Sequence, residues 1–268
     1  MKNILLINDV VGGSHVGMCA MLPILTKMGH SVFNLPTALV SNTLDYGDYE
    51  VLETTKYMSG TIEVWRRLGF SFDGVITGLM FSPQQAAVVR EYCRELRNQG
   101  AFIMVDPIMG DGGRPYNGIG ETQIKLMRQM MEVCDLAVPN LTEACLLAGV
   151  PYKNEGFNEC ELIDIQQRIH RLGAESIVIT SALMDGKNCV SVSGWDCCWD
   201  VPYKQLPAAF HGTGDIFSAL LLGSLMSGKV LREATEYAIS VVSNLIERNM
   251  GQQDPCRGIP IEACLDLI

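Results

Sequence analysis

Residues 208–223 read AAFHGTGDIFSALLLG. Gly212 and Gly214 bracket Thr213, one acid follows at Asp215, and then an apolar run begins. Glycine opens backbone angles closed to other residues, so such a loop can aim successive N–H groups into one concavity. A helix starting just after it adds unpaired N–H groups and the positive end of its dipole. Together these suit a phosphate, or negative charge developing on one. Asp215 has two readings at such a place: it caps the helix, or it acts as general base on a group being phosphorylated. The GTGD pattern alone does not choose between them.

Outward from this helix, short apolar runs alternate with helical stretches. Strands are expected at 4–8, 31–35, 74–78, 101–106, 136–138 and 176–181, with an antiparallel pair near 188–193 and 197–201. Helices are expected at 16–28 (with Pro23 inside), 60–69, 83–99, 142–148, 214–227 and 231–249. Pro83 and Gly100 frame one of them. This alternation predicts an α/β fold: a mostly parallel central sheet covered on both faces, in three α/β/α layers, with an antiparallel edge. No repeat, low-complexity segment or linker interrupts residues 1–268, which read as a single domain. The irregular stretch 36–56 reads as a lid or a hairpin over the site. The tail 251–268 reads as one short docking helix beginning at Pro260.

The chain has 268 residues, 48% of them hydrophobic, enough for a sizeable core. Its net charge of −10 argues against a nucleic-acid partner, which needs a basic face, but not against a small phosphorylated ligand. Ten cysteines without a C-x-x-C pair or zinc spacing predict mostly buried, reduced thiols. The longest apolar run, 216–226, is shorter than a bilayer span of about 20 residues. The N-terminal apolar stretch meets Asn8-Asp9 too soon for a signal peptide. The expectation is a soluble, cytoplasmic protein with no membrane partner. GSLMSGK (223–229) is no Walker A loop, because Val230 stands where Ser or Thr should bind magnesium; Gly228-Lys229 reads as a helix end. Gly12, Gly13 and Gly17 do not match a dinucleotide fingerprint.

Functional groups in such folds gather at the carboxyl ends of the strands. Asp9, Asp106, Asn140 and the pair Thr180-Ser181 all stand at such ends. Each alone reads as a helix cap; four on one rim read as a site. His15 reads as a cap at the start of the first helix, and His211 as a neighbour orienting the glycine loop.

At this point a resemblance becomes specific. FHGTGDIFSAL (210–220) resembles the anion-hole signature of the ribokinase-like superfamily. VDPIMGDGG (105–113) and VPNLTEACLLAG (138–149) resemble two segments of its vitamin-kinase branch. LPTALVSNT (35–43), followed by Tyr46-Gly47, resembles the substrate-side segment of pyridoxal and pyridoxamine kinases. The matches follow the family's order across about residues 3–250.

The resemblance implies a ribokinase-like fold and an ATP-dependent kinase that phosphorylates the 5′-hydroxymethyl group of pyridoxal, pyridoxamine or pyridoxine, as in vitamin B6 salvage. Asp215 would be the base, and Gly212, Thr213, Gly214 and Asp215 the anion hole. Asn140, Thr180 and Ser181 would meet the ATP phosphates, with the stretch 187–210 near the adenine. Asp106 and Glu143 would lie near Mg2+, through waters. Asp9, Ser41, Asn42, Leu44 and Leu79 would line the substrate. A homodimer is implied, and optionally a monovalent cation.

The departures lie on the substrate side. Where these kinases read S-N-H-T, this chain has Ser41-Asn42-Thr43-Leu44, so Leu44 replaces a threonine at the pyridine edge. Leu79 and Phe81 alter a neighbouring segment, and Asp9 stands where many members have serine. Losing a hydroxyl weakens recognition of a polar ring edge. Two alternatives follow: a kinase for another hydroxymethyl heterocycle such as hydroxymethylpyrimidine, or a ligand-binding homologue without turnover.

Overall fold

The computed structural model describes residues 1–116, 119–194 and 197–268. Residues 195 and 196 of the expected adenine-side stretch lie outside the described residues. The elements run β1 (Asn3–Ile7), β2 (Val10–Val11), α1 (Met18–Lys27), β3 (Ser31–Asn34), β4 (Ala38–Val40), β5 (Val51–Glu53), α2 (Thr55–Leu68), β6 (Gly74–Thr77) and α3 (Pro83–Asn98). They continue with β7 (Phe102–Val105), β8 (Gly110–Asp111), β9 (Arg114–Pro115), α4 (Glu121–Met130), β10 (Leu136–Ala137), α5 (Leu141–Ala148) and α6 (Glu159–Leu172). The last are β11 (Ser176–Met184), β12 (Lys187–Gly194), β13 (Cys197–Pro202), α7 (Thr213–Met226) and α8 (Leu231–Asn249).

The α/β architecture is as the sequence predicts, with a large, mostly parallel sheet of eight strands. β1 pairs in parallel with β3 and β6, and β10 with β7 and β11. β12 and β13 add the antiparallel edge. Parallel strands buried on both faces need continuous apolar sequence. β1 supplies it, with Ile4, Leu5, Leu6 and Ile7 fully buried.

The chain packs into two compact units. The first comprises residues 1–81, 99–101 and 206–268. Within it the strand order is β6-β1-β3, and a small sheet runs β2-β4-β5. Helix α7 packs against α1, α8 and β6 and is buried continuously from Asp215 to Ser224. A helix apolar all round is a core helix. The second unit comprises residues 82–98 and 102–205, with strand order β13-β12-β11-β10-β7, the β8–β9 ribbon, and helices α3 to α6.

Several expectations need correction. The stretch 36–56 is not among them: it contains a hairpin, β4–β5, one of the two forms expected, which pairs with β2 and buries Val11, Ala38 and Val40 against Val16, Leu44, Val51 and Phe81. Helix α2 starts at Thr55 and not near 60, because the extra turn buries Met58 beside Ile62. Helices α4 and α6 were not expected; both are strongly amphipathic, and α6 opens on an Asn158/Glu161 capping box. Strand β11 runs on to Met184 through an irregularity between Ile179 and Ala182. The tail is not one docking helix but three single 3₁₀ turns, at Pro255–Arg257, Ile261–Ala263 and Leu265–Leu267. Gly258, at φ +75°, and Pro260 separate the first turn from the second and stop a helix from propagating.

Cys93, Cys134, Cys145, Cys189 and Cys264 are buried free thiols as expected, while Cys160 and Cys198 are exposed. Among the described residues no helix is long and apolar enough to cross a membrane.

Candidate active site

In the first unit, β1 delivers Asn8 and Asp9 beyond its carboxyl end, and α7 delivers Asp215. The capping reading of Asp215 is overturned. Gly212, at φ +79°, is the N-cap of α7, and Asp215 is the third residue inside the helix with no capping bond from its side chain. Its carboxylate reaches other elements instead. Oδ2 accepts the Gly17 N–H at 2.8 Å, and Oδ1 accepts the Asn8 Nδ2–H at 3.2 Å.

Two glycines make this packing possible. Gly17, the N-cap of α1, sits at φ +55°, and a Cβ there would lie 2.8 Å from Asp9 Oδ1. Gly212 would bring a Cβ within 2.8 Å of the His15 carbonyl. At Gly214, by contrast, a Cβ would meet nothing within 4 Å, so this stretch of helix backbone is open to an approaching group. Thr213 bonds its hydroxyl to the Phe210 carbonyl at 3.3 Å, closing the turn.

Asp9 and Asp215 are both buried acids. Burial, then the Asp215 charge, pushes Asp9 up to about 7. Burial pushes Asp215 up to about 6, and the bonds from Gly17 and Asn8 oppose it. Burial thus brings the proton affinity of Asp215 nearer to neutrality than that of an ordinary carboxylate, the direction that suits a group exchanging a proton near pH 7.

The substrate-side residues divide. Leu79 donates its N–H to Asn8 Oδ1 at 3.0 Å, so its backbone is linked through Asn8 to Asp215. Leu44 packs into the Val11/Ala38/Val40 cluster of the small sheet. Ser41 and Asn42 build the β4–β5 turn: Ser41 Oγ accepts the Glu50 N–H at 2.9 Å, and Asn42 Nδ2 donates to the Asp48 carbonyl at 2.9 Å. His15 is not a helix cap, because α1 starts later, on Gly17; its Nδ1 instead lies 3.2 Å from Glu262 Oε2. His211 faces Asp45 at 3.0 Å and donates its N–H to the Pro255 carbonyl.

In the second unit, Asn140 and Glu143 form a capping box on α5. Asn140 also donates to the Gly110 carbonyl at 2.8 Å, and Glu143 Oε1 accepts the Met109 N–H at 3.0 Å. Burial, then the Asp106 charge, raises Glu143 well above the usual carboxylate range. Thr180 bridges to Asn140, and Ser181 takes φ +52° at the β11 irregularity. Ser181 also hydrogen-bonds Tyr203.

Asp106 and Glu143 are two buried acids that repel each other, and a hard cation nearby would relieve that repulsion. Among the described residues no group of three or more His, Cys, Asp or Glu could hold a metal. A divalent ion bound mainly through waters and phosphates fits this arrangement better than a protein cage does.

Asn8 and Gly17, which hold the Asp215 carboxylate, are not among the site residues expected from the sequence. The available signal for Asn8 was a polar residue closing an otherwise apolar strand; for Gly17, nothing local.

Residues 12–256 match the phosphomethylpyrimidine kinase family. The pyridoxal kinase PdxY of Rubrobacter xylanophilus is 27% identical over 261 residues, covering 92% of this chain and 88% of its own. A protein of Bacteroides thetaiotaomicron, provisionally assigned as a phosphomethylpyrimidine kinase and crystallised with pyridoxal, superposes with a TM-score of 0.93 at 32% identity over 99% of this chain and 95% of its own. Pyridoxal kinase from Leishmania donovani, in complex with ADP and pyridoxine, gives 0.85 at 26% identity over 99% and 94%. The chain thus belongs to the phosphomethylpyrimidine kinase family, in the pyridoxal kinase branch of the ribokinase-like superfamily, and is a phosphotransferase of the kinase type.

Proposed function

We propose that this kinase transfers the γ-phosphoryl group of ATP to the 5′-hydroxymethyl group of pyridoxal, pyridoxamine or pyridoxine. The observation that carries the reading is the Asp215 carboxylate, buried in the first turn of α7 and held by Gly17 and Asn8. Asp215 takes the hydroxyl proton as the alcohol oxygen bonds to the γ-phosphorus and the bond to the β,γ-bridging oxygen breaks, releasing ADP. The Gly212–Asp215 turn, its backbone open at Gly214, and the α7 dipole stabilise the charge on the transferring group. Asn140, Thr180 and Ser181 hold the ATP phosphates. Mg2+ beside Asp106 and Glu143 would neutralise phosphate charge. Asp9, Leu44 and Leu79 border the ring, and the Ser41–Asn42 turn holds the 36–56 hairpin in shape as a lid. The family resemblance supports a homodimer and a cytoplasmic location.

A second reading keeps the machinery and changes the ring to hydroxymethylpyrimidine; the family matched by residues 12–256 favours it. Measured ATP consumption with each B6 vitamer and with hydroxymethylpyrimidine separates the two. The vitamer reading predicts kcat/KM at least about tenfold higher on a vitamer, a difference of about 1.4 kcal/mol. The reverse order would overturn it.

A further inference from the structure

Asn8 sits at the centre of the base's surroundings, 1% exposed. Its Oδ1 accepts two backbone N–H groups, those of Asp9 and Leu79, each at 3.0 Å. With that oxygen committed, the amide can face Asp215 only with Nδ2–H, and it does so at 3.2 Å. Nδ2 also lies 3.5 Å from Met21 Sδ. Gly78 leaves the amide its space: a Cβ there would lie 2.3 Å from Oδ1 and 2.6 Å from Nδ2. One side chain therefore locks together the ends of β1 and β6 and the first turn of α7.

We infer that Asn8 is a positioning residue for phosphoryl transfer, aiming the Asp215 carboxylate at the substrate hydroxyl. The inference rests on Asp215 being the base. Asn8 on Oδ1 and Gly17 on Oδ2 fix the rotation of the carboxylate and leave each oxygen lone-pair capacity for a proton. Preset geometry of this kind costs no reorganisation during the reaction. A donor on a buried carboxylate also favours its ionised form. The titratable groups that respond to Asp215 are Asp9, after β1, and Cys19, on α1.

The test compares wild type, Asn8→Ala and Gly78→Ala with ATP and whichever of pyridoxal or hydroxymethylpyrimidine the wild type prefers. Asn8→Ala removes the donor and admits water to the Asp9 and Leu79 amides; Gly78→Ala displaces the amide without deleting it. In both, kcat falls about tenfold or more while KM for the alcohol changes less than about threefold. The acid limb of the kcat profile moves to higher pH by about half a unit or more. An acid limb that stays at its wild-type position overturns the inference whatever kcat does, because a merely structural Asn8 lowers activity evenly with pH. If Asn8→Ala does not fold, Gly78→Ala carries the same decision. Asp215→Asn separates the claims. Retained turnover there sinks the reading of Asp215 itself, whereas loss there with unmoved limbs in the other two variants sinks only the role of Asn8.

Discussion

Asp9 and Asp215 are carboxylates placed where water is scarce, and the fold bears a cost for them. Both have folded-state pKa values raised above the ordinary 3.8, to about 7 and about 6. Between about pH 4 and 7 the native state therefore holds more protons than the unfolded chain, so stability falls as pH rises through that window. Asp9→Asn removes the larger share. Its gain in stability should grow from near zero at about pH 4 to about 1–4 kcal/mol by about pH 8. Thermal melts at several pH values check this; a gain that does not depend on pH would contradict it. At this scale the sequence was readable only in part. Asp215 and Asp9 announced themselves beside glycines and at a strand end. Their partners did not, because Asn8 lies 207 positions from Asp215, and Gly17 lies 198. Bonds of that span arise where the first turn of α7 meets the end of β1 and the start of α1, and they leave no local pattern.

Elements that bury an apolar face against the sheet were legible, and those defined by their caps were less so. β1 and β6 are continuous apolar runs, and α7 is apolar all round. Helices α4 and α6 are polar on average, and their buried faces show only as periodicity. Asn158 and Glu161 did stand at capping-box spacing. The same device on α5 has a second use, because Asn140 accepts the Glu143 N–H and also donates to the Gly110 carbonyl. Asn140→Ala should cost about 1–2 kcal/mol of stability and raise KM for ATP more than KM for the alcohol. Denaturant unfolding and steady-state kinetics on the same preparation measure both. Equal changes in the two KM values would contradict the assignment of Asn140 to the ATP side.

Over the whole molecule, the sequence conveyed the α/β class and the antiparallel edge, but not the work of the tail. Residues 254–262 hold the first unit's loops. Arg257 accepts the His15 N–H at 2.7 Å, Pro255 accepts the His211 N–H at 3.2 Å, and Asp254 bonds the Tyr46 hydroxyl. Ile259 and Ile261 are fully buried. Nothing in the spacing of GQQDPCRGIPIEACLDLI foretold these contacts, since each is made to a residue more than 40 positions away. Truncation after residue 250 should lose about 3–6 kcal/mol from those two isoleucines alone, enough to leave little folded protein at 37 °C. A truncated chain that melts at the wild-type temperature would contradict this.

The central claim is that Asp215 removes the alcohol proton. Its most direct test is the rate of ATP consumption by Asp215→Asn with Mg2+ and a B6 vitamer, set beside calorimetric binding of both substrates. The account predicts turnover lowered about a hundredfold or more with both substrates still bound near their wild-type affinity. Turnover within a few-fold of wild type would contradict it.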